Sequence, residues 1–137
     1  MQPQCLQGAC ECAAVLSSQR VAHLQVLGRE LTKVSTAYSL EEARAVESLQ
    51  RVRRLSGAAS AAELQRLHRL IQDLTKFAAL NYVAVLKAIK KRNRRLRNAC
   101  GDVVVTVAPF SVLQHQAFFT SKELVRISSE AAELDPV

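Results

Sequence analysis

The run Ser56-Gly57-Ala58-Ala59-Ser60 interrupts two long helical patterns, and its reading decides the fold. Its side chains are too small to continue an apolar stripe, so it reads as a helix–helix connection. Ser60 is placed to act as the N-cap of the second helix, with Glu63 at the capping-box position. Upstream, from about Ser18 to Leu55, Val21, Leu24, Leu27, Leu31, Val34 and Tyr38 recur at three- and four-residue steps and share one helix face. Ala45, Leu49 and Val52 continue that stripe, and Glu30 with Lys33 can support the exposed side. Downstream, a second helical pattern runs to about Arg97 and offers Leu64, Leu67, Ile71, Leu74 and Phe77 for burial. Asn81 marks a kink or a local restart within it. Two long helices joined by a short link are expected to pack antiparallel.

Asn98 to Gly101 ends the second pattern, with Gly101 as a C-cap. Asp102 to Val107 has strand-like propensity. A lone strand has no partner here, so a helix or an extended linker is expected, punctuated by Pro109. A last helix is expected from about Ser121 to Leu134, with Thr120 as N-cap, Glu123 as its box partner, and Leu124, Ile127 and Ala131 on its apolar face. Residues 1–16 show no clear period, and residues 1–19 read as a poorly ordered tail. The composition agrees with helices: only four Gly, three Pro and 4% aromatic residues accompany 49% hydrophobic ones. A sandwich or barrel would need more β-branched residues, aromatics and turns. The fold class expected is all-α, an antiparallel helical bundle with two long core helices and short C-terminal helices.

Net charge is +7, but it is concentrated in the middle of the chain. Residues 51–100 carry thirteen basic and two acidic side chains, while the flanking segments are slightly acidic. Such a localised positive field attracts phosphates, nucleic acid or an anionic membrane surface. No run of about 18 apolar residues is present to span a bilayer. Met1 to Cys12 lacks a basic region ahead of an apolar one, so no secretory signal is expected. Cys5, Cys10, Cys12 and Cys100 match no usual zinc spacing, and the expected setting is a reducing intracellular compartment, cytoplasmic or nuclear. His23, His68 and His115 read as surface or boundary residues. No nucleophile–base pair, Gly-rich phosphate loop or paired carboxylates can be argued, so no catalysis, metal or cofactor is expected.

The charge resolves onto one helix. At about 100° per residue, Lys90, Lys91, Arg94, Arg95 and Arg97 all fall within roughly 80° of Lys87. Val85, Leu86, Ile89 and Leu96 take the opposite arc with Tyr82 and Asn93, and Arg92 lies to the flank. Like charges at four-residue spacing repel by a few tenths of a kcal/mol each. The helix macrodipole relieves part of this near the C-terminus. Tolerance of the rest points to an anionic partner. Three or four cations on successive turns span about 10 Å, which suits a compact polyanion carrying several phosphates. A DNA backbone or an anionic lipid surface would also fit. Base stacking would call for exposed aromatics, and Tyr82 is expected to face the apolar side.

The stretch Leu80-Asn81-Tyr82-Val83-Ala84-Val85-Leu86-Lys87-Ala88-Ile89-Lys90-Lys91-Arg92-Asn93-Arg94 resembles the signature of SPX domains. Leu27-Gly28-Arg29-Glu30-Leu31-Thr32-Lys33-Val34 through Tyr38 resembles that family's first long helix. Gln116-Ala117-Phe118-Phe119 with Ser121 to Leu134 resembles its C-terminal stretch and last helix. The resemblance covers residues 20–134 and implies an SPX-like helical domain over 20–137, with 1–19 a tail or a remnant of the family's N-terminal hairpin. It implies a non-enzymatic phosphate-status sensor that binds inositol polyphosphates or pyrophosphates. Lys87, Lys90 and Arg94 would then form a surface cluster, and Lys91 would join the central phosphate site. It also implies a regulated partner protein: a transcription factor, a transporter or a polymerase module. Two departures stand out. Residues 1–19 hold neither the Tyr nor the Lys that the family's hairpin supplies, and Asn93 and Arg94 replace its usual Asp and Lys. The alternative function is a basic helical module for nucleic acid or an anionic membrane surface, nucleic acid being the less expected of these partners.

Overall fold

A computed structural model describes the backbone of residues 3–101 and 107–134, and side chains from residue 25 onward within those ranges, residue 100 excepted. Among the described residues, five helices follow in order: α1 (Pro3–Arg54), α2 (Gly57–Cys100), α3 (Pro109–Leu113), α4 (Ala117–Thr120) and α5 (Glu123–Leu134). The molecule is an all-α bundle in which α1 and α2 pack along each other. The three short helices close over them: α4 and α5 rest on both long helices, and α3 rests on α2. Helix α1 begins at Pro3, well before the apolar period becomes readable. Over 3–19, where a tail or hairpin remnant is expected, only the backbone is described, as part of α1, and the side chains of His23 and of all four cysteines lie outside the described residues. So does most of the strand-like run, over 102–106.

The core arises from the two stripes. Leu31, Tyr38, Ala45 and Val52 sit at seven-residue steps on α1 and are buried together with Leu49. Leu64, Leu67, Ile71 and Leu74 on α2 alternate steps of three and four and meet them. This spacing keeps both seams facing along the length of the hairpin. Cross-links confirm the antiparallel course near the link: Ser60 Oγ donates to the Val52 carbonyl at 3.1 Å, and Ser48 Oγ donates to Glu63 at 2.8 Å. Farther along, the Tyr38 and Phe77 rings stack with centroids 6.5 Å apart. Leu113, Phe118, Ile127 and Ala131 from the short helices complete the same cluster.

Three local expectations are corrected. Helix α2 starts at Gly57 rather than after Ser60, with Ser56 at the N-cap and Gly57 at φ +64°. Ala58, Ala59, Ala61 and Ala62 are strong helix formers and carry the helix back through Ser60. Ser60 is thereby free to bond across to α1, and Glu63 is bound by Ser48, Arg51 and Arg66 instead of capping. At the start of the last helix it is Ser121, not Thr120, whose Oγ accepts a backbone bond, from the Glu123 N–H at 3.3 Å. Thr120 belongs to α4 and bonds back to the Gln116 carbonyl. At Asn81 there is no restart: α2 runs through it, and its Nδ2 donates to the Phe77 carbonyl at 2.8 Å. Gly101 does end α2, at φ +68°, with its N–H on the Arg97 carbonyl. Helices α3 and α4 were not legible as periods, being only five and four residues long.

Candidate functional site

Val85, Ile89 and Leu96 are buried, and Leu86 is half-buried, so the apolar arc of α2 faces the bundle as its spacing predicts. Burying that arc forces the opposite one outward. Lys87, Lys90, Lys91 and Arg94 are all exposed, as are Arg95 and Arg97. Arg92, off this face, is half-buried. The four candidate residues stand at steps of three, one and three, so they occupy successive turns of one face. Among the described residues, no carboxylate pairs with any of the four, and no side-chain hydrogen bond engages them. The nearest preceding acid on the same helix is Asp73, fourteen residues before Lys87 and so about 21 Å along the axis.

What fixes this segment is Asn93. Its Nδ2 donates to the Val107 carbonyl at 2.9 Å, and its Oδ1 accepts from the Val107 N–H at 3.2 Å. One carboxamide therefore satisfies both backbone groups of a residue that has no strand or helix partner for them. This pins the chain entering α3 against the inner side of the basic helix. A carboxylate, which only accepts, could not do both.

Tyr82 turns away from the cations, as its arc predicts, and stacks on Phe119 with centroids 5.8 Å apart. Phe119 meets Phe110 edge-on at 6.2 Å. Gln116, in the C-terminal stretch, accepts from Ser35 of α1 at 2.7 Å through Oε1. Ser121 donates to Glu42 at 2.9 Å, and Arg53 reaches Glu130 at 3.0 Å, so α4 and α5 are tied to α1 by polar as well as apolar contacts.

Two features escaped the sequence reading. Leu80 is 71% exposed and Val83 is 43% exposed, and both lie on the same outward side of α2 as Lys87. Their seven- and four-residue offsets from Lys87 made this readable. The second is a groove lined by Thr32, Ser35, Thr36 and Ser39 of α1 with His115 and Gln116. The hydroxyl residues recur at helical spacing, but their partners come from a segment about eighty residues away. Neither this groove nor the apolar hollow around Tyr38 and Phe77 is lined by the candidate cations. The cationic site is a helix ridge.

Among the described residues, no group of three or more His, Cys, Asp or Glu side chains could hold a metal, and no helix is long and apolar enough to cross a membrane. Compared with protein-family models, curated proteins and solved structures, the chain has no significant match.

Proposed function

We propose that the outward face of α2 is an SPX-like sensor surface that binds inositol polyphosphates or pyrophosphates, and that occupancy regulates a partner protein. The observation that carries this reading is the set Lys87, Lys90, Lys91 and Arg94: four exposed cations on successive turns, without acidic partners among the described residues. Lysine tips act as mobile point charges, and the Arg94 guanidinium can fork onto two phosphate oxygens. A ligand with several phosphates on one small ring can bridge such a row, and no catalytic step belongs to this reading. The partner would be a transcription factor, a transporter or a polymerase module that senses phosphate status through this domain.

Calorimetric titration of the chain with inositol hexakisphosphate tests it. One saturable site is expected. Replacing Lys87, Lys90 and Lys91 together by Ala should weaken binding at least about 100-fold, given roughly 1.5–3 kcal/mol per charge-assisted hydrogen bond. The three are exposed, so the fold should persist.

The exposure of Leu80 and Val83 beside the cations favours one second reading, an anionic membrane surface that receives apolar tips among its headgroups. Vesicles containing phosphatidylserine separate the two. Binding to such vesicles, lost in a Leu80→Ser/Val83→Ser variant, with no saturable uptake of the free inositol phosphate, would establish the membrane reading instead. Tighter binding to short DNA duplexes at physiological salt would point to nucleic acid.

A further inference from the structure

The link between α1 and α2 carries a motif that the basic face does not use. Arg53-Arg54-Leu55-Ser56 sets two guanidinium groups three and two residues ahead of a serine hydroxyl. Basophilic serine kinases read this spacing, because carboxylates beside their clefts pair with arginines at those two places. No other Ser or Thr in the chain has Arg at both places.

The setting suits a kinase substrate. Every residue from Arg53 to Ala59 is exposed, an unbroken run of seven. Ser56 is extended, at φ −138° and ψ 159°, and its side chain makes no capping bond. A kinase would need the last turn of α1 to open so that Arg53 and Arg54 extend with the serine. That opening is confined to one turn: the N–H groups of Arg53 and Arg54 leave their intrahelical carbonyls, the Leu55 N–H leaves the Arg51 carbonyl, and Arg53 leaves Glu130. No buried side chain is pulled out, since Val52 is the first buried residue behind the run and Ser60 holds its carbonyl. Helix ends of this kind open at little cost.

We propose that Ser56 is a phosphoacceptor for a basophilic serine kinase. Ser56 Oγ attacks the γ-phosphorus of the kinase-bound nucleoside triphosphate. The new Oγ–P bond replaces the bond to the bridging oxygen, the hydroxyl proton passes to the kinase's catalytic carboxylate, and the diphosphate departs. The product carries up to two negative charges at the start of α2, where the helix dipole favours anions. Arg51, Arg53 and Arg54 close α1 beside it. Ser56 is 31 residues from Lys87, about 46 Å along the axis of α2, so this site stands or falls independently of the anion-binding face.

The test is initial-rate phosphorylation of the whole chain by purified cyclic-AMP-dependent kinase with magnesium and ATP, with the modified residue located by peptide mass spectrometry. One phosphoryl group on Ser56 is expected. Ser56→Ala should abolish its incorporation, and Arg54→Ala should slow it at least about tenfold, the equivalent of one lost charge-assisted contact. Arg54 is exposed and makes no ion pair among the described residues, so R54A keeps the fold, which circular dichroism verifies. Phosphate appearing chiefly on another residue, or R54A modified as fast as the parent, overturns the assignment.

Discussion

Glu63 is buried at 8% exposure, yet it carries a charge because three donors converge on it: the Ser48 hydroxyl at 2.8 Å, Arg51 at 3.1 Å and Arg66 at 3.5 Å. The Ser48 hydrogen bond, with the two arginines adding to it, holds the carboxyl below its ordinary value against the opposing effect of burial. A depressed folded value means that the stabilisation is fully present above the unfolded carboxyl's titration, near pH 4.5, and is lost as pH falls through the folded value. Urea unfolding of the parent should therefore show midpoints that decline below about pH 4.5. Glu63→Gln should flatten part of that decline. An identical acid limb in the variant would show that Glu63 contributes nothing to it. The surrounding residues explain why a capping role was expected from the spacing and not taken up. A side chain three residues from a serine is a box partner only if the helix begins at that serine, and here alanines carry it farther back.

At the scale of elements, the decisive join is between the basic part of α2 and the chain leading into α3. Asn93 makes it with one donated and one accepted hydrogen bond to Val107. Asn93→Asp keeps the shape, removes the donor and sets a carboxylate against a carbonyl. The expected cost is about 1–3 kcal/mol, read as a lower urea midpoint with an unchanged slope. Asn93→Ala should cost a similar amount by leaving both groups of Val107 unanswered. A neutral result for both variants would mean that water replaces the amide without loss. The helical stripes themselves were legible: Leu31, Tyr38, Leu49, Val52, Leu67, Leu74, Ile89 and Ile127 were all assigned inward by period, and all are buried. The short helices were not, because four or five residues give no period, and Phe118 is buried by tertiary packing rather than by any local pattern.

For the whole molecule, the charge arrangement has an energetic consequence. The central segment concentrates the basic residues, and Lys87, Lys90, Lys91 and Arg94 have no acidic partners among the described residues to offset their mutual repulsion. Arg51 and Arg66 pair with the buried Glu63, whereas a pair such as Lys33–Glu30 at 2.9 Å is largely exposed and worth little. Adding sodium chloride screens the repulsion more than it weakens these pairs. Stability in urea at neutral pH should rise with salt by about 1 kcal/mol, from a few like-charge pairs at a few tenths each. In the Lys87→Ala/Lys90→Ala/Lys91→Ala variant the rise should largely vanish. A salt-independent midpoint in the parent would show that the fold bears no repulsive cost.

Periodicity and charge pattern are short-range properties, set by the 100° step between neighbours on a helix. Reading them was enough to obtain the hairpin of two long helices, their buried seams and a cationic outward face. Which groups Ser60, Glu63, Ser121 and Asn93 bond to was settled only when distant segments came together. A polar side chain takes the best partner within about 3 Å, and folding, not sequence neighbourhood, decides what stands there.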